Sequence, residues 1–250
     1  MEINEFESMM DYHYDNHNDE IGEEVIEKER GLLRSENSTT VVGRLMHREL
    51  KIAESGNKYA DIIVGNFEYT NKNGENVYNS TFTRLFGDSA EKVMKLKEDT
   101  NVVLDGTYAT ESYEKDGEKH FKVKFNARSI NNNQNLSHSN KSTISGILSK
   151  EPIIKTNQKG DEYAIVQVFD TFKSKAGETI YRNNSGFVQG KAVEVIKNLE
   201  SGQQVKLQGK FITNKDNEPV FNINNAVPGY TQVERDAYFE KKKADHDKEM

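Results

Sequence analysis

The sequence predicts an all-β fold of two tandem five-stranded Greek-key barrels of the OB type, each with a short helix between strands 3 and 4, flanked by disordered or helical tails. Three observations predict it. Gly43, Gly74, Gly87 and Gly106 return as Gly146, Gly177, Gly190 and Gly209, each 103 residues on, so one unit has been duplicated. Each copy is a series of windows rich in Val, Ile, Tyr and Phe, punctuated by turn dipeptides. One window in each copy changes to helical spacing at the same relative place. A repeat of this length is a whole domain, because it can bury its own core without stacked neighbours.

In the first copy, residues 40–52 and 58–69 read as strands, and Asn73-Gly74 closes a hairpin toward 77–86. Asp88 is placed to cap a helix in which Ala90, Val93, Met94 and Leu96 fall at helical spacing. Strands over 101–113 and 119–129 follow, joined through Asp116-Gly117. The second copy repeats the plan: strands near 143–154, 162–172 and 180–189, a helix near 190–200, then strands over 203–213 and 218–227. The polar run 131–142 reads as a flexible tether. The expected organisation is therefore an acidic arm (1–38), a first barrel (39–130), a tether (131–142), a divergent second barrel (143–228) and a charged, helical tail (229–250).

Charge separates these parts. Residues 1–38 carry 12 acidic against 3 basic groups, net -9, whereas residues 39–130 carry 14 of each. The net charge of -7 thus reflects the arm, not the barrels. The absence of cysteine excludes disulfides and thiolate metal sites and fits a reducing compartment. With no apolar run near the length of a membrane span and an acidic N-terminus, the reading is a cytoplasmic protein.

In the third strand Ser80, Phe82, Arg84 and Phe86 share one face, and Thr81, Thr83 and Leu85 the other. In the fifth, Phe121, Val123 and Phe125 form the row expected inside the barrel, and His120, Lys122 and Lys124 the row outside, either ordinary solvation or a phosphate track. Aromatic rings interleaved with cations suit a single strand of nucleic acid, because bases stack on rings while cations follow the backbone. Half-buried aromatics are normal in any barrel, but Tyr113, near a hairpin tip, has no core to join.

These residues carry a resemblance. Val42-Gly43-Arg44-Leu45, Leu85-Phe86-Gly87 leading into Ala90-Glu91-Lys92-Val93, Val103-Leu104-Asp105-Gly106 and the Tyr113-x-x-Asp116-Gly117 hairpin resemble, in order and spacing, the bacterial single-stranded-DNA-binding protein family over residues 39–130. The resemblance implies non-sequence-specific single-stranded DNA binding, with Phe86 and Tyr113 matching stacking aromatics and Tyr69 close to a third. Ser80 stands where the family often has a further aromatic, so part of that stacking platform is missing unless Phe82, on the same face, substitutes. Phe86 becomes Gln189 and Tyr113 becomes Asp216 in the second copy, with Phe172 and Phe187 remaining, so weaker binding or a role in assembly is expected there. The family's acidic, aromatic-ended tail is not matched by Asp247-Lys248-Glu249-Met250.

The function expected is single-stranded DNA binding and protection in replication, recombination or transfer, without catalysis, cofactor or metal. Phe86, Tyr113, Phe82 and Tyr69 would stack bases, and Arg44, Arg84, Lys122 and Lys124 would contact phosphates. Two barrels per chain, against the family's usual four per complex, predict a homodimer, with the tails available to replication or recombination proteins. The rivals are an OB module that binds a partner polypeptide and an RNA-binding protein. No nucleotide-binding loop, zinc-protease motif or cysteine nucleophile is present. His13 and His17, beside Asp11, Asp15 and Asp19, suggest a metal, but in an arm without an apolar stripe the preferred reading is two solvated histidines.

Overall fold

The computed structural model describes residues 31–115, 117–132, 137–174, 176–213 and 218–249. They form the strands β1 (Glu36–Ile52), β2 (Lys58–Thr70), β3 (Asn76–Phe86), β4 (Asn101–Lys115), β5 (Glu118–Asn132), β6 (Ser139–Leu148), β7 (Ile153–Thr156), β8 (Glu162–Lys173), β9 (Thr179–Val188), β10 (Gln204–Thr213) and β11 (Pro219–Pro228). The helices are α1 (Asp88–Met94), α2 (Ala192–Ile196) and α3 (Gln232–Glu249). The arm residues 1–30, with His13 and His17, lie outside the described residues, as do Asp116 and Asp216.

The first compact unit comprises the described residues of 37–143 and 209–222. Its barrel runs β2-β3-β5-β4-β1 and closes through β1 on β2, with Thr83 of β3 meeting Phe125 of β5 in parallel. Alternation drives this: Ala60, Ile62 and Val64 face Leu85, Thr83 and Thr81 across β2–β3 and are buried, and each of Ile62, Val64 and Leu85 contributes about 1.5–3 kcal/mol on burial. Helix α1 packs Ala90 and Val93 inward. Gly87, at φ 55°, is its N-cap residue, so Asp88 is the first helical residue and acts on the helix dipole rather than as the expected cap.

The segment 209–222 belongs to this unit, not only to the second repeat as the expected boundaries had it. Phe211 stacks on the buried Tyr108 with centroids 3.5 Å apart, and on Phe221 at 4.8 Å. Asn79 and Asn140 both donate to the Phe211 carbonyl, at 2.6 and 2.7 Å. Tyr108 and Phe211 are repeat-equivalent, as are Thr39 and Ser142, whose hydroxyls lie 2.8 Å apart. The polar run read as a tether is shorter in the structure: β5 reaches Asn132 and β6 starts at Ser139, because Asn and Ser pair in a strand whenever a neighbouring edge supplies partners.

The second unit comprises described residues 31–36, 144–208 and 223–249. Its strands run β6-β10-β11-β9-β8, closed by β6 on β8, with β7 added to β8. The opening strand expected over 143–154 is broken at Ser149–Pro152, where Pro152 has no N–H for a ladder. Leu33 exchanges both backbone bonds with the Gln204 side chain, which anchors the chain before β1. A capping box of Thr231 and Glu234 starts α3, the expected helical tail.

The glycine pattern has a steric cause. A Cβ on Gly43 would overlap the Gly65 backbone, and one on Gly146 would overlap that of Phe169. Gly65 and Phe169 are therefore equivalent at a spacing of 104 rather than 103. Ile62 opposite Thr83 and Val166 opposite Gly186 agree, the extra residue lying ahead of β8. A bulge between Phe67 and Tyr69 then takes it back, so Tyr69 and Phe172 again sit opposite equivalent residues, Val77 and Ile180.

Candidate nucleic-acid interface

The outer face of β1–β2–β3 in the first unit is built by register. Tyr59 lies opposite Phe86, Asp61 opposite Arg84, Ile63 opposite Phe82, Gly65 opposite Ser80 and Phe67 opposite Tyr78. Since opposite residues share a face, the even-numbered residues of β3 from Tyr78 to Phe86 and their β2 partners form one surface. Phe82 and Phe86 stand out of it, 58% and 62% exposed, although rings of this size usually seek burial.

A polar cluster stiffens one end. Arg84 donates from Nε and Nη2 to Asp61 Oδ1 and Oδ2, at 2.7 and 3.2 Å, and its guanidinium lies 4.1 Å over the Tyr59 ring. Lys51 adds a bond to Asp61 at 3.1 Å. The Arg84 hydrogen bonds, then that from Lys51, hold the Asp61 carboxyl below its usual range against the opposing effect of burial. Tyr59 in turn meets Phe86, centroids 6.1 Å apart.

The expected site residues separate on this frame. Phe82 and Phe86 are brought together on the exposed face with Arg84 between them. Arg84 is already paired, so its charge is largely committed to Asp61. Arg44, exposed and opposite Gly65, joins the same face at its middle. Lys122 and Lys124 are exposed on β5, and the Thr83–Phe125 bridge sets Lys124 level with Phe82 on the outer side. Tyr113 lies in the β4–β5 hairpin opposite His120, and the side chains of both, with that of Phe121, are outside the described residues. Phe125 is buried as expected, and Val123 half-buried.

Tyr69 does not join the row. The bulge after Phe67 turns it over, so it sits opposite Val77, on the face that carries Asn79 and Thr81. Sequence spacing missed Tyr59, Phe67, Tyr78 and Met46, which the register adds to the surface. Met46 is the bulged residue of β1, and its thioether covers Gly65. Alternation within β3 would have found Tyr78; the β2 partners needed the register.

The second unit replaces this surface. By the structural equivalences, Arg44 becomes Ile147, Gly65 becomes Phe169, Phe82 becomes Ser185, Arg84 becomes the buried Phe187, and Phe86 becomes Gln189. Its ion pair sits elsewhere, where Arg182 and Asn184 both bond the fully buried Asp170 and Arg182 lies 4.5 Å over Phe172.

Among the described residues no cluster of three or more His, Asp or Glu could hold a metal ion, and no helix is long and apolar enough to cross a membrane.

No family model matches the chain, and no curated protein matches it. Solved structures do. The chain is similar to the wild-type single-stranded DNA binding protein from Thermus aquaticus, with a TM-score of 0.63 at 18% identity over 79% of this chain and 95% of that one. A deletion and point variant of the same protein aligns with a TM-score of 0.62 at 18% identity, over 80% of this chain and 97% of that one. The likeness shows that this chain has the OB-type fold of that protein.

Proposed function

We propose that this protein binds single-stranded DNA without sequence preference and without catalysis, protecting it during replication, recombination or transfer. The observation that carries the proposal is the exposed Phe82–Phe86 row beside the cations Arg44 and Lys124, on a fold shared with a protein named for single-stranded DNA binding. Bases would stack on Phe82 and Phe86, with Tyr113 at the hairpin. Arg44, Lys122 and Lys124 would follow the phosphates. Arg84 would act chiefly by holding Tyr59 and screening Asp61, so that no bare carboxylate faces the backbone. The second unit lacks both rings and the Arg44 cation and would bind more weakly, with Phe169 and Tyr181 the exposed rings on its corresponding face. Two barrels per chain support a homodimer, which light scattering would read directly.

The test is a titration with fluorescent oligo-dT at several salt concentrations, with duplex of equal length beside it. Tight binding to the single strand alone, weakening with salt by a log–log slope of about -0.7 per phosphate contact, is the expected result. Absence of binding at low salt would overturn the reading in favour of a polypeptide partner. Competition between oligo-dT and oligo-U decides between DNA and RNA, because stacking accepts both sugars and only 2′-hydroxyl contacts distinguish them.

A further inference from the structure

Resting on the reading above, we propose that Phe67 and Tyr78 form a further nucleobase-stacking subsite, at the end of the outer face away from Phe86. The two rings are direct cross-strand partners with centroids 6.0 Å apart at 73°, and they stay 39% and 37% exposed. Cross-strand stabilisation alone would account for an edge-to-face pair. Three further observations point to a ligand.

The pair is collinear with the rest of the row. Tyr78, Phe82 and Phe86 are on one face of β3, and the strand from Tyr78 to Phe86 spans about 26 Å at ~3.3 Å per residue. Between them, Gly65 and Ser80 leave a low stretch in these two strands, covered by the Met46 thioether and flanked by Arg44. The row thus continues instead of ending at Phe82.

The pair is also braced by His138. His138 Nδ1 accepts the Phe67 N–H at 2.8 Å, so the ring carries its proton on Nε2, 3.4 Å from Asn101 Oδ1. Its ring lies 6.4 Å from that of Tyr78. A platform fixed before the ligand arrives loses less freedom on binding.

The charge around it suits a polyanion. Arg44 stands on the neighbouring strand opposite Gly65, and Glu68, next to Phe67 in sequence, is taken up by Lys210. The polyanion's phosphates therefore meet a cation beside the platform and a neutralised carboxylate. This chemistry fits successive bases of one single strand rather than an isolated nucleotide, because the platform is useful only to a ligand long enough to reach it from Phe82.

The experiment uses the full chain and an oligo-dT series of increasing length. Phe67→Thr with Tyr78→Thr, β-formers that spare the strand, should keep wild-type affinity for the shortest bound oligomers and lose on the order of ten-fold or more for longer ones. Tyr78→Phe should behave as wild type. In parallel, photocrosslinking of the wild-type protein to oligo-dT carrying 5-iodouracil should mark Tyr78 or Phe67, which decides the matter even if the double variant fails to fold. Length-independent wild-type affinity in the double variant, or no crosslink at either ring, overturns the subsite while Phe86→Ala still weakens binding. If the wild-type protein binds no oligomer, the parent reading falls and the subsite with it.

Discussion

The two units carry one strand plan but differ in the residues of the outer face. At equivalent places the first has Arg44, Phe82 and Phe86, and the second Ile147, Ser185 and Gln189. The inner faces have not diverged in kind: Ile62, Val64 and Leu85 and their counterparts Val166, Val168 and Val188 are all buried. Core positions answer to packing, which both copies must satisfy, whereas the outer positions are free to change once one copy suffices for a ligand. The ion pairs differ likewise. Arg84–Asp61 lies in the exposed row with the arginine side chain 45% exposed, whereas Asp170 is fully buried beneath Arg182.

This contrast can be broken at several points. The largest effect expected is on DNA affinity: Phe82→Ala with Phe86→Ala should lose about 2–6 kcal/mol if each ring stacks a base, while Ser185→Ala with Gln189→Ala should leave the titration unchanged. Equal losses from both pairs would remove the asymmetry. For stability, Phe211→Ala should destabilise the first unit by about 3–5 kcal/mol in denaturant melts, since it leaves a cavity against Tyr108. If that unit melted unchanged, its boundary would lie at the repeat junction after all.

Asp170→Asn should destabilise the second unit by about 3 kcal/mol, through an uncompensated Arg182, and Asp61→Asn the first by only about 1 kcal/mol, because solvent screens Arg84. Arg44→Ala is smaller still, reducing the log–log salt slope by about one phosphate contact.

The smallest effect is on pH. Burial, then the charge of Arg44, lowers the His138 pKa, so the folded chain keeps it neutral where the unfolded chain begins to protonate. Stability from this site is complete above about pH 6.5 and declines as pH falls through that value. The Asp61 carboxyl, lowered by its partners, stays ionised longer, and its contribution is lost only below about pH 4. Melting curves from pH 7.5 to 5 should therefore lose a component in His138→Asn and none in Asp61→Asn.

The amino-acid sequence by itself determined the strand plan and the duplication. Hairpin dipeptides such as Asn73-Gly74 and the alternation in β3 act over a few residues, so they can be read without knowing any partner strand. Phe82 and Phe86 were legible for that reason, and so was the loss of the second ring at Gln189. Only the tertiary structure decided which rings stand beside them. The bulge that turns Tyr69 away and leaves Phe67 facing Tyr78 depends on where β2 meets β3, and a shift of one residue exchanges the two faces of a strand. In the sequence Arg84 reads as a phosphate contact because nothing local announces Asp61, which lies 23 residues earlier and reaches it only across the ladder. The place of Phe211 in the first unit is likewise a matter of partners, since a buried ring follows whichever surface closes over it.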